Sequence, residues 1–276
     1  MNSSAPLIGI TRQLPTRMVE KVWGRANLPR PFSAPRNTRI GEIWFDPPPE
    51  MPDLLVKYLF TSEKLSVQVH PSVHNARADE AGKEECWLVL DAKPGAKLAI
   101  GFDEDHSSER IEKAAKDGSI EDLLTWHDAK AGDVFYLPAG TVHAIGPGLA
   151  LVEVQQNSDT TFRLYDYGRP RALHLDRALA VAQRGPYEAC HKSVVREGQS
   201  SLIDGPFFRL DRVEGAPDEA LSLEYSEGAL ALPLEGEVRL KKTGEAIHSG
   251  GCLYAPSLSV LDFSDAGVTL LTRSKR

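Results

Sequence analysis

Short apolar runs broken at close intervals by glycine and proline dominate this 276-residue chain, which holds 22 Gly and 19 Pro. Such punctuation leaves little room for long helices and suits strands joined by tight turns, the rhythm of a β sandwich or barrel with helical insertions. The runs predict strands at Leu54–Thr61, Lys64–His70, Cys86–Asp91, Lys97–Phe102, Asp133–Leu137, Ala150–Gln155, Leu221–Tyr225, Ala229–Pro233, Glu237–Lys241 and Val268–Thr272. Helical spacing of Ile111, Ala114 and Ala115 after Ser107 or Ser108 predicts a helix over Ser108–Trp126, split at Gly118-Ser119. A second helix is expected at His174–Gln183, and a short one at Pro71–Glu80. A Gly…Pro strand signature occurs at Gly132–Pro138 and again at Gly251–Pro256, which hints at two related β units. His and Trp become scarce beyond residues 183–200, so the expected division is 1–185 and 186–276.

Charge narrows the partners. With 32 basic and 39 acidic residues the net charge is −7, so no global basic field exists to hold nucleic acid or an anionic membrane. An anionic ligand needs a local cluster of cations. Cys86, Cys190 and Cys252 are widely spaced and odd in number, which fits reduced thiols better than a disulfide framework. Met1 to Pro15 lacks a basic start followed by an apolar core, and Leu137 to Val152 is interrupted by Pro and Gly, so a soluble, cytoplasmic protein is expected.

One strand has an unusual polar face. In Leu65-Ser66-Val67-Gln68-Val69-His70-Pro71 the alternation puts Leu65, Val67 and Val69 on one side and Ser66, Gln68 and His70 on the other. A solvent face normally carries Lys, Glu or Thr, whereas Ser, Gln and His suit hydrogen bonding or coordination inside a barrel. Lys83 and Glu85 share a face of the next apolar run by the same parity. The segment Gly132-Asp133-x4-Pro138-Ala139-Gly140-x2-His143 resembles the second motif of the cupin superfamily, whose turn delivers a histidine to a metal inside a jelly roll. Gln68, His70, Glu85 and His143 then make an oxygen and nitrogen donor set for Zn²⁺, with one carboxylate against a dication and room for water or substrate. Such a centre polarises a carbonyl or hydroxyl oxygen.

Together, Gln68-x-His70-Pro71, Lys83-x-Glu85, Pro138-Ala139-Gly140-x2-His143 and Ser158-Asp159-x3-Arg163 resemble the type I mannose-6-phosphate isomerases. Val22-Trp23-Gly24, Gly41-Glu42-x-Trp44 and Arg171–Ala180 extend the resemblance to about residues 20–180, although Trp23-Gly24 is followed by Arg25 rather than the usual Gly. Arg25 is read as a surface residue or an additional phosphate contact. The resemblance implies a mainly β fold of two cupin-like jelly-roll units with short helical insertions, and one Zn²⁺ per chain on Gln68, His70, Glu85 and His143, with other divalent metals as alternatives. It implies interconversion of mannose 6-phosphate and fructose 6-phosphate through an enediol, with Arg163 stabilising the oxyanion or the proton shuttle and Glu153 as candidate base. A metal-bound water or hydroxide is the rival base. Family members place phosphate contacts at the positions of Lys57, Ser66 and Lys83.

No His follows Pro256, so residues 186–276 are expected to be a cupin-like unit without metal ligands. His74, His106, His127, His174, His191 and His248 are read as surface, cap or core residues. The expected partner is a small sugar phosphate, with the chain a monomer or homodimer. Two other readings are a non-catalytic, regulatory sugar-phosphate-binding cupin and an Fe²⁺-dependent cupin oxygenase on a two-His-one-carboxylate triad. The retained donor set with Arg163 argues against the first, and Gln68 with the two lysines against the second.

Overall fold

The computed structural model describes residues 10–275, so the first nine residues of the Met1–Pro15 stretch lie outside the described residues. The fold is mainly β, with three sheets of seven, five and eight strands. The seven-stranded sheet runs through 192–194, 133–137, 85–92, 149–156, 54–60, 40–45 and 16–25. Opposite it lies the five-stranded sheet of 162–165, 67–69, 143–145, 97–102 and 124–128. Trp23, Leu59, Leu65, Trp87, Leu98, Ile100, Phe135, Ile145 and Leu151 pack between these two sheets and form the interior of the first sandwich.

The strand Leu54–Phe60 is buried at every position, which explains its unbroken apolar character. Leu59 points into the sandwich, whereas Leu54, Val56, Tyr58 and Phe60 point outward and meet Phe208, Leu210, Leu230, Leu232, Tyr254 and Leu270 of the eight-stranded sheet. The C-terminal unit therefore covers the outer face of the first sandwich. Edge strands cross between the units: Arg12–Gln13 pairs with Leu253–Ala255, and Lys192–Val194 pairs with Asp133–Leu137. On the far side of the five-stranded sheet, Ile111, Ala114, Ala115, Ile120, Ala178 and Val181 from the helices cover Val67, Val69, Ala99 and Ala144. No helix among the described residues is long and apolar enough to cross a membrane.

The structure corrects several local expectations. Leu221–Tyr225 lies in a helix, Glu219–Glu224, rather than a strand, because the Asp218 side chain accepts the Leu221 N–H and caps a turn that buries Leu221 and leaves Leu223 exposed. The helix expected over Ser108–Trp126 does break at Gly118, but its second piece ends at Leu123 and 124–128 is a strand. Pro71–Glu80 is not a helix. Asn75 Oδ1 accepts the Ser72 N–H and Glu80 accepts the Arg77 N–H, closing two separate turns. The runs Ala229–Pro233 and Glu237–Lys241 fuse into the single strand Ala229–Leu240. The strand expected over Lys64–His70 is confined to Val67–Val69.

Two strands that apolar periodicity overlooked, Thr16–Arg25 and Ile40–Phe45, form the wall nearest the site. In the first the pattern is inverted: Met18 and Val22 are exposed, while Arg17, Lys21 and Trp23 border a cavity. Gly24 allows the two strands to approach, since a methyl group there would lie 2.5 Å from the Gly41 nitrogen. Gly24→Ala is therefore expected to destabilise the fold by about 1–3 kcal/mol, read as a lower urea midpoint, because backbone has to move. An unchanged midpoint would show that the two strands separate freely.

Candidate metal and sugar-phosphate site

Sheet register builds the site as two facing rows. Across the seven-stranded sheet, Trp44, Lys57, Glu153 and Trp87 stand side by side on neighbouring strands. Across the five-stranded sheet, Arg163, Gln68 and His143 do the same. Glu85 opens its strand beside Gln155, and His70 follows the last paired residue of its own strand. Because side chains alternate across a strand, both rows project into the space between the sheets.

His70, Glu85 and His143 converge there, fully buried, with one donor atom from each lying within 4.8 Å of the others. His70 Nε2 is 3.6 Å from one Glu85 oxygen and His143 Nε2 is 3.4 Å from the other. The outer ring nitrogens set the tautomers: His70 Nδ1–H donates to the Thr160 carbonyl at 2.8 Å and His143 Nδ1–H to the Thr141 carbonyl at 2.9 Å. Each Nε2 is thus left as a lone pair, the arrangement that metal-binding histidines adopt. Burial lowers the His70 pKa well below its ordinary value, with Lys83 and His143 adding to the effect. Burial also lowers that of His143, against the opposing pull of Glu85. Both rings are neutral at neutral pH.

His70 Nε2 and Glu85 Oε1 are buried without a hydrogen-bond partner, a costly state unless something else satisfies them. Gln68 completes the group, its amide nitrogen 3.2 Å from His143 Nε2 and its oxygen accepting from Ser66 Oγ at 3.1 Å. Rotation of the amide presents the oxygen instead. Two neutral imidazoles, one carboxylate and one amide make a nitrogen and oxygen donor set that fits a divalent ion such as zinc.

The remaining buried charges are paired. Lys57 Nζ lies 2.8 Å from Glu153 Oε1 and 3.9 Å from Glu42. Lys83 Nζ lies 2.8 Å from Glu85 and 3.7 Å from Glu153. Trp87 Nε1–H donates to the second Glu153 oxygen at 3.1 Å, and Lys21 binds Glu42 at 3.0 Å. Burial opposes the charge on Lys57, but Glu153 and Glu42 overcome it and raise its pKa. Burial likewise opposes ionisation of Glu85, and Lys83 overcomes it and lowers the pKa.

Gln68, Lys57, Lys83, Glu153, Glu42, Lys21 and Trp87 line a cavity of about 320 Å³ bordered also by Ser66, Trp44, Asp159, Arg163 and Arg171. Arg163 makes no ion pair among the described residues; its Nε donates to the Ala172 carbonyl. Burial, with the nearby charge of Arg171, lowers its pKa. Arg25 lines a different cavity and donates to the Thr61 carbonyl, so it is not a contact within this site. Lys57 and Lys83, which the resemblance implies as phosphate contacts, both line the cavity, and each lies 2.8 Å from a carboxylate. Periodicity missed Glu42, Trp44 and Lys21, although a glutamate inside the apolar run Ile40–Phe45 was a usable signal.

Fold and site define a class: a mainly β protein of two cupin-like units with a His–Glu–His metal-binding group inside the first. More particularly, part of the chain is similar to proteins named mannose-6-phosphate isomerase. It is 42% identical over 168 residues to a mannose-6-phosphate isomerase of Streptococcus mutans, covering 56% of this chain and 52% of the relative. It is 38% identical over 183 residues to a probable mannose-6-phosphate isomerase of Bacillus subtilis, covering 59% and 57%. The chain thus spans about half the length of the curated relatives it matches. The fold is shared more widely: the crystal structure of the mannose 6-phosphate isomerase from Bacillus subtilis superposes with a TM-score of 0.77 at 24% identity over 95% of this chain and 98% of that one. A zinc-bound mannose 6-phosphate isomerase structure superposes with a TM-score of 0.70 at 15% identity over 96% and 100%. No family model matches the chain.

Removing one member of a buried pair leaves the other charge stranded. Lys57→Met is expected to lower stability by about 3–5 kcal/mol at neutral pH. The cause is the carboxylates of Glu153 and Glu42, which stay buried without the cation they share. Urea denaturation at neutral pH tests this; a midpoint equal to that of the parent would show that the pair contributes nothing to stability.

Proposed function

We propose that the chain is a metal-dependent aldose–ketose isomerase interconverting mannose 6-phosphate and fructose 6-phosphate. The observation that carries this reading is a buried group of metal donors, His70, Glu85 and His143, adjoining a cavity lined by Gln68, Lys83 and the doubly anchored Glu153. The names of the relatives select the sugar phosphate. Gln68, His70, Glu85 and His143 would hold one zinc ion. Bound there, the ion supplies Lewis-acid polarisation of a sugar oxygen.

Proton transfer falls to the protein. Glu153 takes the proton from C2 of the aldose, leaving an enediolate with its charge on O1; a proton passes from O2 to O1, and Glu153 returns its proton to C1 to give the ketose, with the reverse direction starting at C1. Lys57 on one oxygen and Trp87 on the other fix that carboxylate in place. Arg163, with no competing carboxylate, faces the developing oxyanion. Ser66 and Arg163 are the proposed first contacts of the phosphate, with Lys57 and Lys83 lending positive charge from behind their carboxylates. Among these ion pairs, Glu42, Glu85 and Glu153 balance Lys21, Lys57 and Lys83, so a bound dication would make the site net positive and suited to a phosphate dianion.

A coupled assay with mannose 6-phosphate, before and after chelation and with zinc restored, should show fructose 6-phosphate only when metal is present. Absence of product from metal-replete protein overturns the proposal, and tight sugar-phosphate binding without turnover would support a regulatory role instead. His143→Ala should abolish metal binding at this site. Arg163→Ala should keep the metal and lose about 10²–10³-fold in turnover; loss of the metal in that variant would mean Arg163 supports the donors rather than the reaction.

A further inference from the structure

A second group of metal-binding side chains lies outside the cavity, on the one-turn helix Ala189–His191 and the residue before it. Glu188, Cys190 and His191 each offer a donor atom, and the three atoms lie within 4.8 Å of one another. Cys190 Sγ is 3.5 Å, and His191 Nε2 3.9 Å, from the same Glu188 oxygen. With zinc bonds of about 2.0–2.3 Å, neighbouring donors in a tetrahedron stand roughly 3.3–3.5 Å apart, so the thiol and carboxylate are already at ligand spacing and the imidazole has to close by about half an ångström.

An acid beside a histidine on a surface is ordinary. The added thiol and the fixed imidazole distinguish this turn. The His191 ring packs against Tyr136 at 5.6 Å and Tyr187 at 5.8 Å. Tyr187 Oη–H is within 2.8 Å of both the Tyr136 and the His191 carbonyls, and Lys192–Val194 continues directly into the seven-stranded sheet. The backbone of the turn is therefore anchored before any ion arrives, which reduces the ordering cost of binding. Cys190 and Glu188 are exposed and open to solvent, whereas Cys86 and Cys252 are sealed in apolar core.

We infer that Glu188, Cys190 and His191 form a second metal site, for a borderline-soft divalent ion such as zinc, separate from the cavity. Water fills the open fourth position. Binding replaces the thiol proton with a sulfur–metal bond and releases that proton to solvent. The site falls within residues 186–276, where the sequence reading expected no metal ligands and took His191 as a surface or core residue.

Cobalt separates the two sites by colour, because the cavity donors are nitrogen and oxygen only and a sulfur-to-cobalt charge-transfer band in the near ultraviolet can come only from a thiolate. Titration of the full chain with Co²⁺ should give that band, bleached by zinc. In Cys190→Ser the band should vanish while the visible bands of cobalt in the cavity persist, and His191→Ala should weaken the thiolate-linked binding by at least about tenfold. No charge-transfer band in the parent protein, or a band that survives in Cys190→Ser, overturns the inference. Neither readout depends on turnover, so the outcome is independent of the isomerase proposal.

Discussion

Burying three carboxylates between two β-sheets is the constraint on which the rest of this molecule depends. Each buried ion costs several kcal/mol unless paired in good geometry, and Glu42, Glu85 and Glu153 are paired with Lys21, Lys83 and Lys57 at 2.8–3.0 Å. Pairing of that quality requires rigid walls. Strand register supplies them, placing Trp44, Lys57, Glu153 and Trp87 in one row opposite Arg163, Gln68 and His143 in another. After the lysines have met their carboxylates, His70 Nε2 and the Glu85 oxygen facing His143 still lack a hydrogen-bond partner, as does Oε1 of Gln155, the strand neighbour of Glu85. The shortfall is cation-shaped.

The same constraint explains the layers outside the site. A seven-stranded sheet that holds ions on its inner face needs its outer face sealed, and the C-terminal unit does this with Phe208, Leu210, Leu230, Leu232 and Leu270. The helices seal the five-stranded sheet in the same way. The second unit thus contributes to the site through the stability of the wall carrying Lys57 and Glu153, with no side chain of its own in the cavity lining.

Much of this was legible in the sequence, for a physical reason. Strand parity alone put Gln68 and His70 on one face, and Lys83 with Glu85 on another, because a period of two survives any rearrangement of the turns. The Pro-Ala-Gly turn before His143 was readable because Gly140 adopts a positive φ of 88° there. What periodicity could not supply was the pairing of strands distant in sequence: Lys57 and Glu153 meet only through long-range register. The strand Thr16–Arg25 was missed because Met18 and Val22 face outward while Arg17 and Lys21 face the cavity, and Leu221–Tyr225 was misread because a short capped helix there mimics alternation. Cys190 was read only as a reduced thiol, because spacing along the chain says nothing of the tyrosines that pack on its neighbour His191.

The central claim is that the unpartnered donors among the buried charges are kept for a metal ion, and the most direct test is stability as a function of zinc. Urea unfolding of Cys190→Ser, which removes the surface thiolate, should be followed from metal-free protein through rising free zinc. Stability should increase linearly with the logarithm of zinc above its dissociation constant, by about 2.7 kcal/mol at a hundredfold excess over that constant. A midpoint that does not move with zinc would contradict the account, because the donors at His70, Glu85 and His143 would then be satisfied without an ion.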